Sequence, residues 1–241
     1  MGRRWQRLRC VWPLHLSTAS CSTGTIGNEA LAAADAELDY NAYDRIVIAW
    51  HYSPCGNGGV ATIRAQSQGT CDGATQYLSI SWDFNAALGS TAFEGKSRGV
   101  ALHEYGHNFG VWHANALECG AVAIGSGACS STEYADPSDV MGSSSGYGHP
   151  NGVHKDVLTW LGNGRPQVAS TSGTYTINAY EEGSANVKVL KVPRTRDSSG
   201  AVNGYYYLEY RKPSTTWSAF LSGRPDYGNG ALLHTSGATP L

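Results

Sequence analysis

Hydrophobic positions in this chain fall into short, separated runs rather than one long period. Leu31, Ala34 and Leu38 recur at helical spacing in an alanine-rich stretch, which predicts a helix from Glu29 to Leu38 with Asn28 as its N-cap. Ile46-Val47-Ile48-Ala49-Trp50 is a continuous apolar run of strand length and reads as a buried strand. Residues 53–74, rich in glycine and holding Cys55 and Cys71, read as a long irregular connection. Polar and apolar positions alternate from Gln76 to Trp82, predicting a second strand. Ser97 is placed to cap a helix over Gly99 to Phe109. Gly, Ser and Asp then dominate from Glu118 to Pro150, before a further helix over Val153 to Leu161.

The pattern changes after Gly164-Arg165-Pro166. Thr174 to Ala179, Val187 to Val192 and Tyr205 to Tyr210 read as strands, with Asn203-Gly204 as a turn before the last of them. The chain stops shortly after the apolar run Ala231-Leu232-Leu233, an abrupt ending that points to a longer natural protein. The expected organisation is an atypical segment over residues 1–22, a main α+β domain over 23–165 and a β-rich extension over 166–241.

Composition narrows the partners. Hydrophobic residues make up 41% and charged residues 15% of the 241 positions, with 30 glycines, a globular and loop-rich balance. A formal net charge of -2 gives no electrostatic case for nucleic acid or an anionic membrane. Arg3, Arg4, Arg7 and Arg9 form a basic cluster that reads as a terminus, not a binding face. No apolar run is long enough to span a membrane. An export signal is not visible, because Pro13 and His15 interrupt the run from Val11 to Leu16. None of the six cysteines sits in a zinc-type spacing; Cys55 with Cys71 and Cys119 with Cys129 bracket glycine-rich loops, as local disulfides do in oxidising compartments.

The informative segment is His103-Glu104-Tyr105-Gly106-His107-Asn108-Phe109-Gly110-Val111-Trp112-His113. Helix positions four apart lie about 40° apart around the axis, so His103 and His107 can offer two imidazoles to one ion. Glu104 falls beside that ion without being a ligand, where a base can take a proton from an attacking water. A straight helix cannot supply a third ligand. Gly110 can take the left-handed conformation that ends a helix and returns the chain, bringing His113 to the metal. Three histidines with one open position are the arrangement of a catalytic zinc. A bare HExxH arises by chance in about a few per cent of chains this long; requiring Gly110 and His113 as well lowers that to the order of one in ten thousand. An ordinary cluster of surface histidines is therefore the weaker explanation.

HExxHxxGxxH followed by a distant methionine resembles the signature of the metzincin zinc proteases. The candidate methionine turn is Asp139-Val140-Met141-Gly142, with Met141 28 residues beyond His113. Within that group the chain is most similar to the gametolysin family. The similarity rests on the HExGHNxG core, His113-Ala114-Asn115, Cys119 and Cys129, Glu133-Tyr134, Asp136-Pro137, the Met141 turn, Val153-His154-Lys155, Trp160-Leu161 and Tyr205 to Arg211; residues 1–22 lie outside it. The resemblance implies a metzincin-like fold, one catalytic zinc, and a secreted endopeptidase acting on protein, including matrix or cell-wall glycoproteins. It also implies that Met141 forms an apolar floor under the metal. Family members usually carry an export signal and a pro-region, and neither is visible here.

Some metzincins place a tyrosine two residues after the turn methionine, where it contacts the transition state. That position here is Ser143, and Tyr147 is the nearest tyrosine and a candidate for the role. Asp136 and Asp139 lie in an acidic, glycine-rich loop where calcium is conceivable, but no complete ligand set can be read and Asx turns shaping the approach to Met141 explain them better. His149 and His154 read as solvent-facing or capping, and His51 and His234 as structural. Gln76 to Trp82 is the candidate edge along which an extended substrate pairs. Two rival functions stand beside peptide hydrolysis: a zinc hydrolase cutting an amide in a cell-wall polymer, and a binding protein with a relic site. The presence of Glu104 argues against the second.

Overall fold

The computed structural model of the chain describes residues 22–50, 58–71, 74–84, 91–122, 124, 129–142, 148–162, 166–180, 182–183, 186–212 and 225–236. Helix α1 (Thr23–Ala34) starts earlier than the apolar spacing suggests, because Ser22 rather than Asn28 caps it: the Ser22 hydroxyl accepts from the Thr25 amide at 3.2 Å. Ile26, Ala30, Leu31 and Ala34 form its buried stripe. The helix stops at Ala34, whose carbonyl takes the amides of Glu37 and Leu38 in a closing turn. A single 3-10 turn (Tyr40–Ala42) follows, and the buried Tyr40 hydroxyl donates to the Leu31 carbonyl at 2.7 Å.

The first sheet contains β1 (Arg45–Trp50), β2 (Gly59–Ala61), β3 (Gln66–Cys71) and β4 (Ala74–Phe84). Strand β4 is its hub, pairing with β1 in parallel and with β2 and β3 in antiparallel. Three expectations change here. The segment read as irregular supplies β2 and β3, whose glycine- and polar-rich sequences lack alternation and are made strands by the partner they find. β1 lies at the sheet edge, with Val47 36% exposed while Ile46 and Ile48 pack on the core, so its apolar run is not buried on both faces. Both edges of β4 are occupied over Ser81 to Asp83, and β3 takes one edge over Gln76 to Leu78, so Ser81 and Trp82 within the expected stretch offer no free edge to an incoming strand.

Leu78, Ile80, Trp82 and Phe84 point from β4 into a core closed by Ile26, Leu31, Ala34 and Tyr40. Side chains alternate along a strand, so the buried Ser79, Ser81 and Asp83 face the opposite side, where helix α2 (Thr91–Phe109) packs. Two small serines permit that close approach. Asn108 fixes α2 on the sheet by donating from Nδ2 to the carbonyls of Thr62 (3.0 Å) and Ile80 (3.1 Å).

Beyond α2 lie the two-stranded β5 (Ala116–Glu118) and β6 (Ser130–Thr132), joined just past their ends by the Cys119–Cys129 disulfide. Cys55 lies outside the described residues. Helix α3 (Gly152–Val157) is shorter than the Val153 to Leu161 pattern implies: Asn151 caps it, and Thr159 leaves the helix with φ +58°. The second sheet runs β10-β9-β8-β7, from β7 (Gln167–Val168), β8 (Val189–Arg196), β9 (Val202–Tyr210) and β10 (Ala231–Ser236), with a short α4 (Pro225–Gly228) before β10. Thr174 to Ala179 is not a strand. Asn203-Gly204 is not the turn either; both lie in β9 at an irregularity in register. The reversal occurs at Asp197 to Ala201, where the Asp197 carboxylate accepts from the Ser199 and Ala201 amides and Gly200 takes φ +85°.

The second sheet is tied to the loop that carries Met141 and α3. Glu209, fully buried, accepts from the Gly152 amide and from Arg211 Nε at 2.8 Å, and Arg211 reaches the carbonyls of His149 and Pro150. Among the described residues the architecture is α+β, with two four-stranded sheets, one two-stranded ribbon and few helices. No described helix is long and apolar enough to cross a membrane.

Candidate metal centre

Helix α2 carries His103, Glu104 and His107 on its last two turns, all buried. It ends at Phe109, and Gly110 takes φ +101°, the left-handed turn the sequence requires. A side chain at Gly110 would also run into Arg64, whose backbone amide donates at 3.0 Å to the His107 carbonyl, which also accepts from the Gly110 amide at 2.8 Å. After this turn His113 folds back onto the helix. The metal-ligating atoms of His103, His107 and His113 lie within 4.8 Å of one another, and the Nε2 atoms of His107 and His113 are 3.1 Å apart. Two nitrogens on one tetrahedral zinc would be separated by about 3.3 Å.

Each imidazole is held through its other nitrogen. Nδ1 of His103 bonds the Val140 carbonyl and Nδ1 of His107 the Val111 carbonyl, both at 2.9 Å, while Nδ1 of His113 meets the Glu133 carboxylate at 2.5 Å. A proton on each Nδ1 leaves Nε2 as the lone-pair donor. Burial, partly offset by these hydrogen bonds, lowers the pKa of His103 and takes that of His107 down to about 4, so both rings are neutral at pH 7. The described residues therefore fit a metal ion: three imidazoles converge, each held through its other nitrogen.

Glu104 points into a space that only a glycine leaves open. A side chain on Gly59 would meet Glu104 Oε1 at 2.6 Å. Gly59 pairs across the sheet with Asp83, so both positions face α2 and the two carboxylates share this pocket of structure. Burial, with the Asp83 charge adding to it, raises the Glu104 pKa to about 8 in the metal-free chain; burial alone takes Asp83 to about 6. Asp83 Oδ1 has no hydrogen-bond partner among the described residues. Two carboxyl groups whose ionisation is opposed by burial, beside converging imidazoles, suit a site that a cation would complete.

Met141 is fully buried beneath this helix, with its sulfur where a side chain on Gly106 would be; Gly106 is glycine so that the methionine can fit. The turn is made by Asp139, whose Oδ1 accepts from the Met141 amide at 2.6 Å, and Asp136 makes the equivalent turn with Ser138 at 2.8 Å. Their remaining oxygens are also engaged, Asp139 by His154 at 2.7 Å and Asp136 by Asn151 at 3.2 Å. Burial works against ionising Asp139, yet the charge and hydrogen bond of His154 hold its pKa below the usual value. His154 is thus a buried partner of the methionine turn rather than solvent-facing. His234 is structural as expected, lying between Asp136 and Glu209. Tyr147 and His51 lie outside the described residues.

Three neighbours of the centre have no signal in local spacing. Glu133 orients His113 from twenty residues away, Asp83 arrives from a strand, and Tyr134 lays its ring against His113 (centroids 3.9 Å) and near His103 (5.8 Å). Comparison with family models, curated proteins and solved structures finds no match to this chain.

Two outcomes follow from this geometry. Glu133→Ala should weaken metal affinity by about 10- to 100-fold, the usual effect of losing a ligand's outer hydrogen-bond partner; equilibrium dialysis giving parent affinity would remove Glu133 from that role. The second concerns metal-free protein. Folding lowers the His107 pKa from 6.5 to about 4, so the unfolded chain binds more protons and stability falls as pH drops through that window. Folding raises the Glu104 pKa from 4.5 to about 8, so the folded chain keeps a proton that the unfolded chain loses, and stability falls as pH rises. The trends oppose up to 6.5, and above it the Glu104 effect stands alone among these groups. The thermal midpoint of metal-free protein should fall between pH 6.5 and 8, and Glu104→Gln should flatten that slope; an unchanged slope in the variant would contradict the buried-carboxyl account.

Proposed function

We propose that this chain is a secreted, zinc-dependent endopeptidase of metzincin type, similar to the gametolysin family, acting on protein or glycoprotein substrates outside the cell. The observation that carries the reading is the convergence of His103, His107 and His113 with a buried, non-ligating carboxylate, Glu104, one residue along from the first of them. Gly110 and the Met141 turn beneath Gly106 support the same family pattern, and the Cys119–Cys129 disulfide fits an oxidising location.

A zinc ion bound there supplies a Lewis acid that acidifies water and polarises a carbonyl, and it would also draw the Glu104 pKa down into the range of a working base. The chain's own residues do the rest. The three Nδ1 contacts hold the imidazoles in the tautomer and orientation that ligation needs. Glu104 accepts the proton of the attacking water and passes it to the leaving amine nitrogen. Asp83 keeps that carboxyl basic by opposing its ionisation. Among the described strands β2 pairs only with β4 and lies against Glu104, so its outer edge is the place for an extended peptide to add its backbone hydrogen bonds.

Purified chain should hydrolyse casein, lose the activity to a chelator and regain it with zinc. Glu104→Ala should retain the metal while turnover falls by about 100-fold or more, because the carboxylate moves the proton and does not hold the ion. Turnover within a few-fold of the parent would take Glu104 out of that role, and chelator-insensitive hydrolysis would end the metalloprotease reading.

A further inference from the structure

Tyr134 stands in an unusual place and an unusual conformation. It lies two residues past β6, and its backbone takes φ +61°, a left-handed value that costs a tyrosine free energy and persists only where its surroundings impose it. They do. The Tyr134 amide donates to Asn115 Oδ1 at 3.2 Å, the Ala135 amide bonds the Thr132 carbonyl at 3.3 Å, and the Asp136 amide bonds the Ala114 carbonyl at 3.2 Å. Strand pairing of β6 with β5, stapled by the Cys119–Cys129 disulfide, holds the approach to this turn. The result is a ring packed across His113 at 3.9 Å between centroids, with the His103 ring 5.8 Å away in a stacked arrangement.

A ring serving only as packing would be covered, and Tyr134 is 46% exposed. Its ring packs against His113 and near His103, two of the three imidazoles whose ligating atoms come together. Glu104 is near enough for its charge to act on the Tyr134 hydroxyl. That hydroxyl is the one polar atom the ring presents to a molecule entering the site.

We propose that Tyr134 is a catalytic residue, its Oη–H donating a hydrogen bond to the oxygen of the scissile carbonyl as negative charge develops on it. This rests on the peptide-hydrolysis reading above. The physical requirement is a donor already in place before the charge appears, and the imposed φ together with the ring contacts supplies that fixed position. The proton stays with Tyr134 throughout; no bond of the tyrosine is made or broken. Its position before the methionine turn differs from the place two residues after the turn methionine where the sequence pattern looks for such a tyrosine.

The test compares the full zinc-loaded chain with Tyr134→Phe, which keeps the ring and removes only the hydroxyl. The expected result is a fall in kcat on a quenched-fluorescent peptide of about 100- to 1,000-fold, as for loss of one such donor, with KM within about threefold, since ground-state binding is not what is lost. Zinc content should be unchanged. By calorimetry, a phosphinic peptide, whose tetrahedral phosphorus imitates the charged state, should lose affinity by the same factor as kcat/KM, while a cleaved product peptide binds as to the parent. Parent-like kcat and phosphinic affinity in Tyr134→Phe would overturn the proposal. Loss of zinc from the variant would overturn it too, because the hydroxyl would then serve the ion rather than the substrate. Equal weakening of both peptides would reduce Tyr134 to a binding contact and likewise overturn it. A parent chain with no metal-dependent peptide hydrolysis would sink the protease reading itself, and this proposal with it.

Discussion

Gly110 decides the direction in which the chain leaves α2, and the metal centre depends on that direction. At φ +101° the backbone turns back on itself within three residues and lays His113 against the two histidines of the helix. A residue with a side chain would face both an unfavourable backbone conformation and the Arg64 side chain, which lies where its Cβ would go. Without the turn the helix would still present His103 and His107 together, but two imidazoles and a nearby carboxylate do not make a closed three-nitrogen site. The helix end is also secured from outside, by the Arg64 amide on the His107 carbonyl and by Asn108 bonded to β4 and the Thr62 segment.

Around that turn the protein uses backbone carbonyls and one exposed carboxylate for orientation. Carbonyls from the methionine turn and from the residue after Gly110 hold two of the histidines, and Glu133 holds the third. The Glu133–Tyr134 pair is delivered by two three-residue strands that have little core of their own, and a lone two-stranded ribbon is marginal in water. Closing that ribbon through Cys119 and Cys129 is worth roughly 2–3 kcal/mol in the chain-entropy picture, enough to matter for so small a unit. The second sheet contributes from the other side, where Glu209 and Arg211 fasten the start of α3 and the loop before it. The β-rich extension is therefore packed against the segment that carries Met141, not simply appended after it.

What was legible in the sequence was local. The four-residue spacing of His103 and His107, the glycine at position 110, the Asx turns of Asp136 and Asp139 and the short Cys119–Cys129 loop all depend on residues close together in the chain, where helix geometry and turn chemistry act directly. The misreadings share an opposite cause. Strands β2 and β3 have no alternation to announce them and exist because β4 offers a partner; Thr174 to Ala179 has strand-like residues but forms no strand. Ser22 displaced Asn28 as the cap of α1 because Ile26 gains full burial when the helix begins earlier. Within the site, Asp83, Glu133 and Tyr134 reach the histidines only through tertiary contacts, and no spacing rule connects Asp83 on a strand with Glu104 on a helix. Met141 illustrates the boundary: its turn is local, but its place under Gly106 is a property of the folded chain.

The account stands or falls on three histidines holding one ion, so metal stoichiometry is the most direct measurement. Mass-spectrometric metal analysis of the purified chain should give about one zinc per molecule, the occupancy of a single three-nitrogen site. His103→Ala, His107→Ala and His113→Ala should each lower that value strongly, with His113→Ala the decisive variant because only the turn at Gly110 brings that residue to the helix. A parent chain that binds no divalent metal, or a His113→Ala chain that keeps its full complement, would contradict the account.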